Sequence, residues 1–267
     1  NNKGCQLSAR SLDLLCIQEE DGKFAYCEQY KELYLKQLDN IVCMSKLNKN
    51  LKGDRVVAHL VVGTEYGYLY IVHALFSSFI HKIKLPSVPV FIQCTGSYDV
   101  EYRIFVACRN GCIYTIKKGK LLATIIKTET LPSGLVIHDL SKQIIISTMK
   151  NSIHSYHYKG KKNYDIYLPA KINSISNLHI KKVNSGQALL VALKNGEIHI
   201  YNNTKLIYTI KDTDIPSVLT FGSYGREDGA LIIINASGAL SVKYLQRHAK
   251  IDGSNIEPTS LIGRSRI

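Results

Sequence analysis

The segment Ala188-Leu189-Leu190-Val191-Ala192-Leu193-Lys194-Asn195-Gly196-Glu197-Ile198-His199-Ile200-Tyr201 decides the fold. An aliphatic run ends in a small residue, an Asn-Gly pair supplies a tight reversal, and apolar residues then return at every second position. Alternation by two is the period of a strand, and Asn-Gly suits the positive φ angles of a two-residue hairpin turn. The segment therefore reads as two antiparallel strands.

The same pattern occurs four more times. It starts at Leu60-Val61-Val62-Gly63, with Gly67 and then Leu69 and Ile71. It returns at Ile104-Phe105-Val106-Ala107 with Gly111 and Ile113, and at Ile144-Ile145-Ile146-Ser147 with Asn151 and Ile153. The last copy is Leu231-Ile232-Ile233 with Gly238, Leu240 and Val242. Successive turns, at positions 67, 111, 151, 196 and 238, are 44, 40, 45 and 42 residues apart. A second marker keeps step: Leu85-Pro86-Ser87-Val88, Leu131-Pro132-Ser133-Gly134, Leu168-Pro169-Ala170-Lys171 and Ile215-Pro216-Ser217-Val218. Proline cannot donate to a sheet ladder, so its return marks the start of a strand or the connection into it. One full unit resolves into strands at 172–178, 188–193, 197–201 and 205–210, and four short strands per unit is the blade of a β-propeller. Helical solenoids share the period but not the alternation. Trp is absent from the chain, which argues against an ordinary WD40 repeat.

The fold class expected is thus all-β, a propeller of four-stranded antiparallel blades over residues 38–248. Residues 1–37 read as a helical insertion, with Leu12, Leu15, Tyr30, Leu33 and Tyr34 at helical spacing and Glu19-Glu20-Asp21-Gly22 as a break. Residues 249–267, poor in apolar groups, read as a linker or tail. The last unit shows three strands and no fourth, and a helix at the opposite end cannot close a ring, so the expectation is an incomplete ring that upstream blades would complete.

Composition narrows the chemistry. The chain has 267 residues and 45% hydrophobic content, enough for a sizeable core, and no apolar run long enough for a membrane helix or a signal peptide, so the sequence alone reads as soluble and intracellular. Its seven cysteines lack any CxxC spacing, and Cys108 and Cys112, flanking a hairpin turn, read as ordinary thiols. Thirty-four Lys and Arg against 21 Asp and Glu give a formal charge of +13, which favours an acidic partner or surface. Nucleophile-elbow, P-loop, His-Glu-x-x-His and EF-hand motifs are missing, and His154 and His157, three apart in a strand, face opposite ways. No enzyme, cofactor or metal is expected. A nucleic-acid-binding propeller is the alternative reading of the charge, although the Lys and Arg are spread through turns rather than set in one aromatic-laced stripe.

Several stretches carry a family resemblance: Leu85-Pro86-Ser87-Val88-Pro89-Val90-Phe91, Asp99-Val100-Glu101-Tyr102-Arg103, Ala107-Cys108-Arg109-Asn110-Gly111 with Ile113-Tyr114, Lys159-Gly160-Lys161-Lys162, Asn195-Gly196-Glu197 with Ile200-Tyr201, and Phe221-Gly222-Ser223-Tyr224-Gly225-Arg226-Glu227-Asp228. Over about residues 50 to 248 the chain resembles the propeller of the first Bardet–Biedl syndrome family, subunits of the BBSome ciliary coat. The resemblance implies a seven-bladed propeller of which five blades and the helical insertion are present here, without the first blades and the C-terminal appendage regions. It also implies a non-catalytic scaffold, binding an Arf-like small GTPase in its GTP form, other BBSome subunits and membrane-protein cargo tails. Membrane association would be indirect, nucleic acid would not be a partner, and the location would be cytoplasm, cilium, ciliary membrane and basal body.

Charge placement suggests where the GTPase would sit. Lys243 and Arg247, four apart in a strand-like stretch and opposite in parity to Leu240, Val242 and Tyr244, are expected to project outward together, with Arg226 from the preceding loop beside them. These three are the candidate partner-binding residues. Gly225 is read as supplying a turn conformation, and Ile233, ending an aliphatic run, as a buried strand residue.

Overall fold

A computed structural model describes residues 9–31, 39–50, 57–74, 79–179, 187–225 and 227–244. Among these residues, two helices, α1 (Ala9–Cys16) and α2 (Glu20–Tyr30), precede nineteen strands grouped in five antiparallel sheets. The first sheet comprises β1 (Ile41–Asn48), β2 (Ala58–Thr64), β3 (Tyr68–Val72) and β4 (Phe79–Lys84). The second comprises β5 (Pro89–Ser97), β6 (Glu101–Cys108), β7 (Cys112–Lys117) and β8 (Lys120–Lys127). The third holds β9 (Pro132–His138), β10 (Gln143–Thr148), β11 (Ser152–His157) and β12 (Lys162–Tyr167). The fourth holds β13 (Ile172–Leu178), β14 (Ala188–Leu193), β15 (Glu197–Asn202) and β16 (Lys205–Lys211). The last has three strands among the described residues, β17 (Pro216–Tyr224), β18 (Glu227–Asn235) and β19 (Leu240–Tyr244).

Strand order within each sheet follows the chain, so each blade is a meander. Between blades, β1 packs on β5, β5 on β9, β9 on β13 and β13 on β17, which sets the first strand of every blade toward the common axis. Among the described residues the last sheet is not packed on the first, and the array is open. The expected propeller of four-stranded blades is present, with the strands of the fourth blade within one residue of their sequence-read limits. Pro89, Pro132 and Pro216 are each the first residue of a blade's opening strand, where a missing N–H removes nothing from the ladder.

The local chemistry explains the repeat. Gly111 and Gly196 sit at φ +75° and +88°, and Asn151 occupies the same turn position at φ +59°. Asn110 Oδ1 accepts the Cys112 N–H at 3.1 Å and Asn195 Oδ1 accepts the Glu197 N–H at 3.2 Å, so both Asn-Gly turns are built alike. The small residue that ends each aliphatic run faces the following blade. A Cβ on Gly63 would lie 2.7 Å from Pro89 Cγ at the start of the next blade. Ala107, Ser147 and Ala192 hold the corresponding place and are fully buried.

The core accordingly lies between blades. Leu69, Ile71, Ile104 and Ile116 join the first two blades. Phe105, Ile113, Ile144 and Ile146 join the second and third. Ile145, Ile153, Val191 and Leu193 join the third and fourth. Leu190, Ile198, Leu219 and Ile233 join the fourth and last.

The helical segment shows one difference from expectation. The break falls before Glu20, where Glu19 is extended (φ −83°, ψ 135°), and Gly22 lies within the first turn of α2. Glu20 and Asp21 start this helix because carboxylates are favoured beside the unpaired N–H groups of a helix N-terminus. The outer limits expected for the helical insertion, and the tail at 249–267, lie outside the described residues. No helix among the described residues is long and apolar enough to cross a membrane.

Candidate partner-binding surface

β19 is the outermost described strand of the last blade, paired to β18 with Leu231 opposite Lys243, Ile232 opposite Val242 and Ile233 opposite Ser241. Directly paired residues share a face of the sheet. Leu231 and Ile233 point into the apolar layer between the fourth and last blades, so Lys243 begins on that side too. Its stem runs along the apolar layer, and its ammonium lies 3.5 Å from Asp212 Oδ2, in the connection that follows β16. Both side chains are largely covered, at 16% and 10% exposure.

Lys243 therefore does not project outward as the parity argument expected. Parity separates the two faces of a sheet but does not say which face is packed: here the Leu240 face is the open one, and the Lys243 face lies against the fourth blade. The long aliphatic stem lets the charge escape the apolar layer to reach a carboxylate. Asp212 is held from its other side: its N–H donates to the Gly196 carbonyl at 3.0 Å, and its Oδ1 accepts the Thr213 N–H at 2.9 Å. The pair thus ties the last blade to the connection leaving the fourth. Ile233 is fully buried, as expected.

Tyr224 ends β17 and pairs with Glu227 at the start of β18, and Gly225 stands at φ +63° in the left-handed region that its place in the sequence suggested. Arg226 and Arg247 lie outside the described residues, so of the three candidates only Lys243 is placed. A feature that charge reading missed is apolar: Val218, Ile234 and Leu240 form one cross-strand row, each between 43% and 60% exposed. Leu69, Ile113, Ile153 and Ile198, at the place of Leu240 in the other blades, are fully buried. The signal lay in the sequence, since Ile234 stands where the other four runs carry Gly, Ala or Ser.

Elsewhere the polar chemistry is internal. Within the third blade, Thr148 Oγ1 and Ser152 Oγ are 2.7 Å apart, Ser152 Oγ and His154 Nε2 2.9 Å, His154 Nδ1 and Asp165 Oδ1 2.6 Å, and Lys162 Nζ reaches Asp165 Oδ2 at 2.7 Å. The order is that of a hydrolase triad, yet Ser152 is 3% exposed and already bonded to Thr148. The chain pins β10, β11 and β12 together. Burial works against the Asp165 charge, but the Lys162 and His154 hydrogen bonds outweigh it and hold the carboxyl below its usual range. His199 repeats the device in the fourth blade, between Glu197 Oε2 at 3.1 Å and the Tyr201 hydroxyl at 3.2 Å.

Burial pushes the Cys108 thiol up to about 12, so it stays protonated and unreactive at neutral pH, in keeping with its reading as an ordinary thiol. Among the described residues no group of three metal-ligating side chains converges.

A family model described as ciliary BBSome complex subunit 1 matches residues 1–117, and one described as PTHB1 N-terminal matches residues 135–247. The mouse protein described as BBSome complex member BBS1 is 36% identical over 245 residues, covering 91% of this chain and 40% of that protein. Its human counterpart is 35% identical over 256 residues, covering 94% and 42%. A crystal structure of BBS1N in complex with ARL6DN, soaked with lead, superposes with a TM-score of 0.77 at 36% identity, over 80% of this chain and 65% of that one. A chain of the mitotic checkpoint complex superposes with a TM-score of 0.59 at 10% identity and shares the fold alone. The chain spans about two-fifths of the length of the curated relatives it matches.

Proposed function

This chain belongs to the family of BBSome subunit 1 and matches that family's N-terminal propeller, and from this premise we propose that it is a non-catalytic scaffold of a BBSome coat that binds an Arf-like small GTPase in its GTP form. The observation that carries the reading is the superposition at 36% identity on BBS1N, a protein solved in complex with ARL6DN. In this reading the coat's other subunits and the cytoplasmic tails of membrane cargo are further partners, and the protein works in traffic to and from the cilium, at the ciliary membrane and basal body.

The GTPase-facing surface lies on the last blade, around the β17–β18 hairpin and the outer side of β19, with Arg226 and Arg247 as contact residues. A guanidinium offers a carboxylate two parallel hydrogen bonds, which suits a partner surface better than an ammonium does. Lys243, turned onto Asp212, positions the blade rather than touching the partner. The uncovered apolar row of Val218, Ile234 and Leu240 on the same blade supports a surface that something covers.

The test is a pulldown on immobilised Arf-like GTPase loaded with GTP or GDP. Retention on the GTP form alone is expected. Equal retention on both forms, or none on either with folded protein, would remove the GTPase from the reading.

A further inference from the structure

Strand direction alternates within every blade, so connections from first to second and from third to fourth strands emerge on one face of the array. On that face the second and third blades enclose a cleft of about 230 Å³ lined by Thr95, Glu101, Tyr102, Arg103, Lys142 and Tyr158. Its one carboxylate is neutralised, because Lys117 Nζ lies 2.7 Å and Arg103 Nη2 3.7 Å from Glu101 Oε1, and the Lys117 hydrogen bond holds the carboxyl below its ordinary range. Arg103 is steadied over the Tyr158 ring, 5.6 Å from its centroid, and the Tyr158 hydroxyl donates to Asp139 at 2.8 Å. Lys142 is exposed at the mouth. Tyr102 is 5% exposed, and its hydroxyl makes no well-formed hydrogen bond, leaving a buried donor at the cleft wall.

Two aliphatic side chains bracket this cationic cleft. Val100 tips the β5–β6 connection and Leu140 the β9–β10 connection, and each is 71% exposed. Segments 98–103, 117–120, 139–142 and 158–162, which surround the cleft, contain eight Lys or Arg against three Asp or Glu. Exposed aliphatic tips set among basic residues are the make-up of a surface that lies on a charged bilayer.

We propose that this face docks directly onto an anionic phospholipid bilayer, with the Arg103 and Lys142 cleft taking a headgroup phosphate while Val100 and Leu140 enter the boundary between headgroups and acyl chains. The site is on the second and third blades and does not depend on GTPase binding by the last one. It replaces the indirect membrane association expected from family resemblance with a direct contact.

The experiment is flotation of the full chain with vesicles of pure phosphatidylcholine, and with vesicles containing roughly 30% phosphatidylserine, at low and physiological salt. Binding is expected to the anionic vesicles only and to weaken with salt. Val100→Asp with Leu140→Asp, both at exposed loop tips, is expected to reduce partitioning about tenfold or more, since each change removes apolar insertion and adds repulsion. Lys142→Glu is expected to weaken it less. Absence of binding to anionic vesicles, equal binding to neutral ones, or undiminished binding of the folded double variant would overturn the proposal. Complete release by millimolar inorganic phosphate at constant ionic strength would overturn it too, by reducing the site to a free-anion pocket.

Discussion

At the scale of single residues, Ile233 and His138 carry the clearest consequences. Ile233 is fully buried in the layer between the fourth and last blades, with Leu219 and Ser241 across its two pairings. Ile233→Arg puts an unpaired charge there, at a cost of several kcal/mol after relaxation, against a total stability of about 5 to 15 kcal/mol. Loss of soluble protein, or a melting transition depressed by ten degrees or so, is expected in thermal denaturation. An unaltered melt would show that the strand register is different. His138 is 3% exposed, and burial lowers its pKa from 6.5 to about 4. The folded state therefore binds fewer protons than the unfolded chain between these values. Stability on the order of 3 kcal/mol is present above pH 6.5 and lost as pH falls toward 4. Denaturation measured across that window is expected to show a slope that flattens in His138→Gln. What sequence reading could reach at this scale was burial within a strand. The link from His154 to Asp165 was out of reach, because eleven residues separate them and only the β11–β12 register sets them opposite each other.

At the scale of elements, blade-to-blade packing is decided where each aliphatic run ends. Gly63 faces Pro89 Cγ, Cys43 Sγ and Ile92 Cδ1, at 2.7, 2.8 and 3.1 Å from where its Cβ would stand. Gly63→Val forces the first two blades apart, and a cost of about 1 to 3 kcal/mol is expected from overpacking. Chemical denaturation would read it as a lower midpoint at unchanged slope. An unchanged midpoint would mean that the first interface is loose. The strands themselves were legible because alternation, Asn-Gly turns and recurring prolines agree with one another. The direction of Lys243 was not, since parity separates the two faces of a strand without saying which of them the neighbouring blade covers. The start of α2 was missed for a related reason: Glu20, Asp21 and Gly22 look like a break in isolation, and helix electrostatics makes the first two a beginning.

At the scale of the whole molecule, five blades stand in series, with the first strands toward the axis and an apolar row on the last blade left open. In the proposed scaffold role, two separate surfaces are candidates for partners. One is the last blade, with the row of Val218, Ile234 and Leu240. The other is the basic face of the second and third blades. The central claim is that a GTP-loaded Arf-like GTPase engages the last blade, and hydrogen–deuterium exchange of the chain with and without that GTPase tests it most directly. Protection is predicted in the β17–β18 hairpin and along β19, present with GTP and absent with GDP. Protection confined to the first four blades, or exchange that is the same in both nucleotide states, would contradict it.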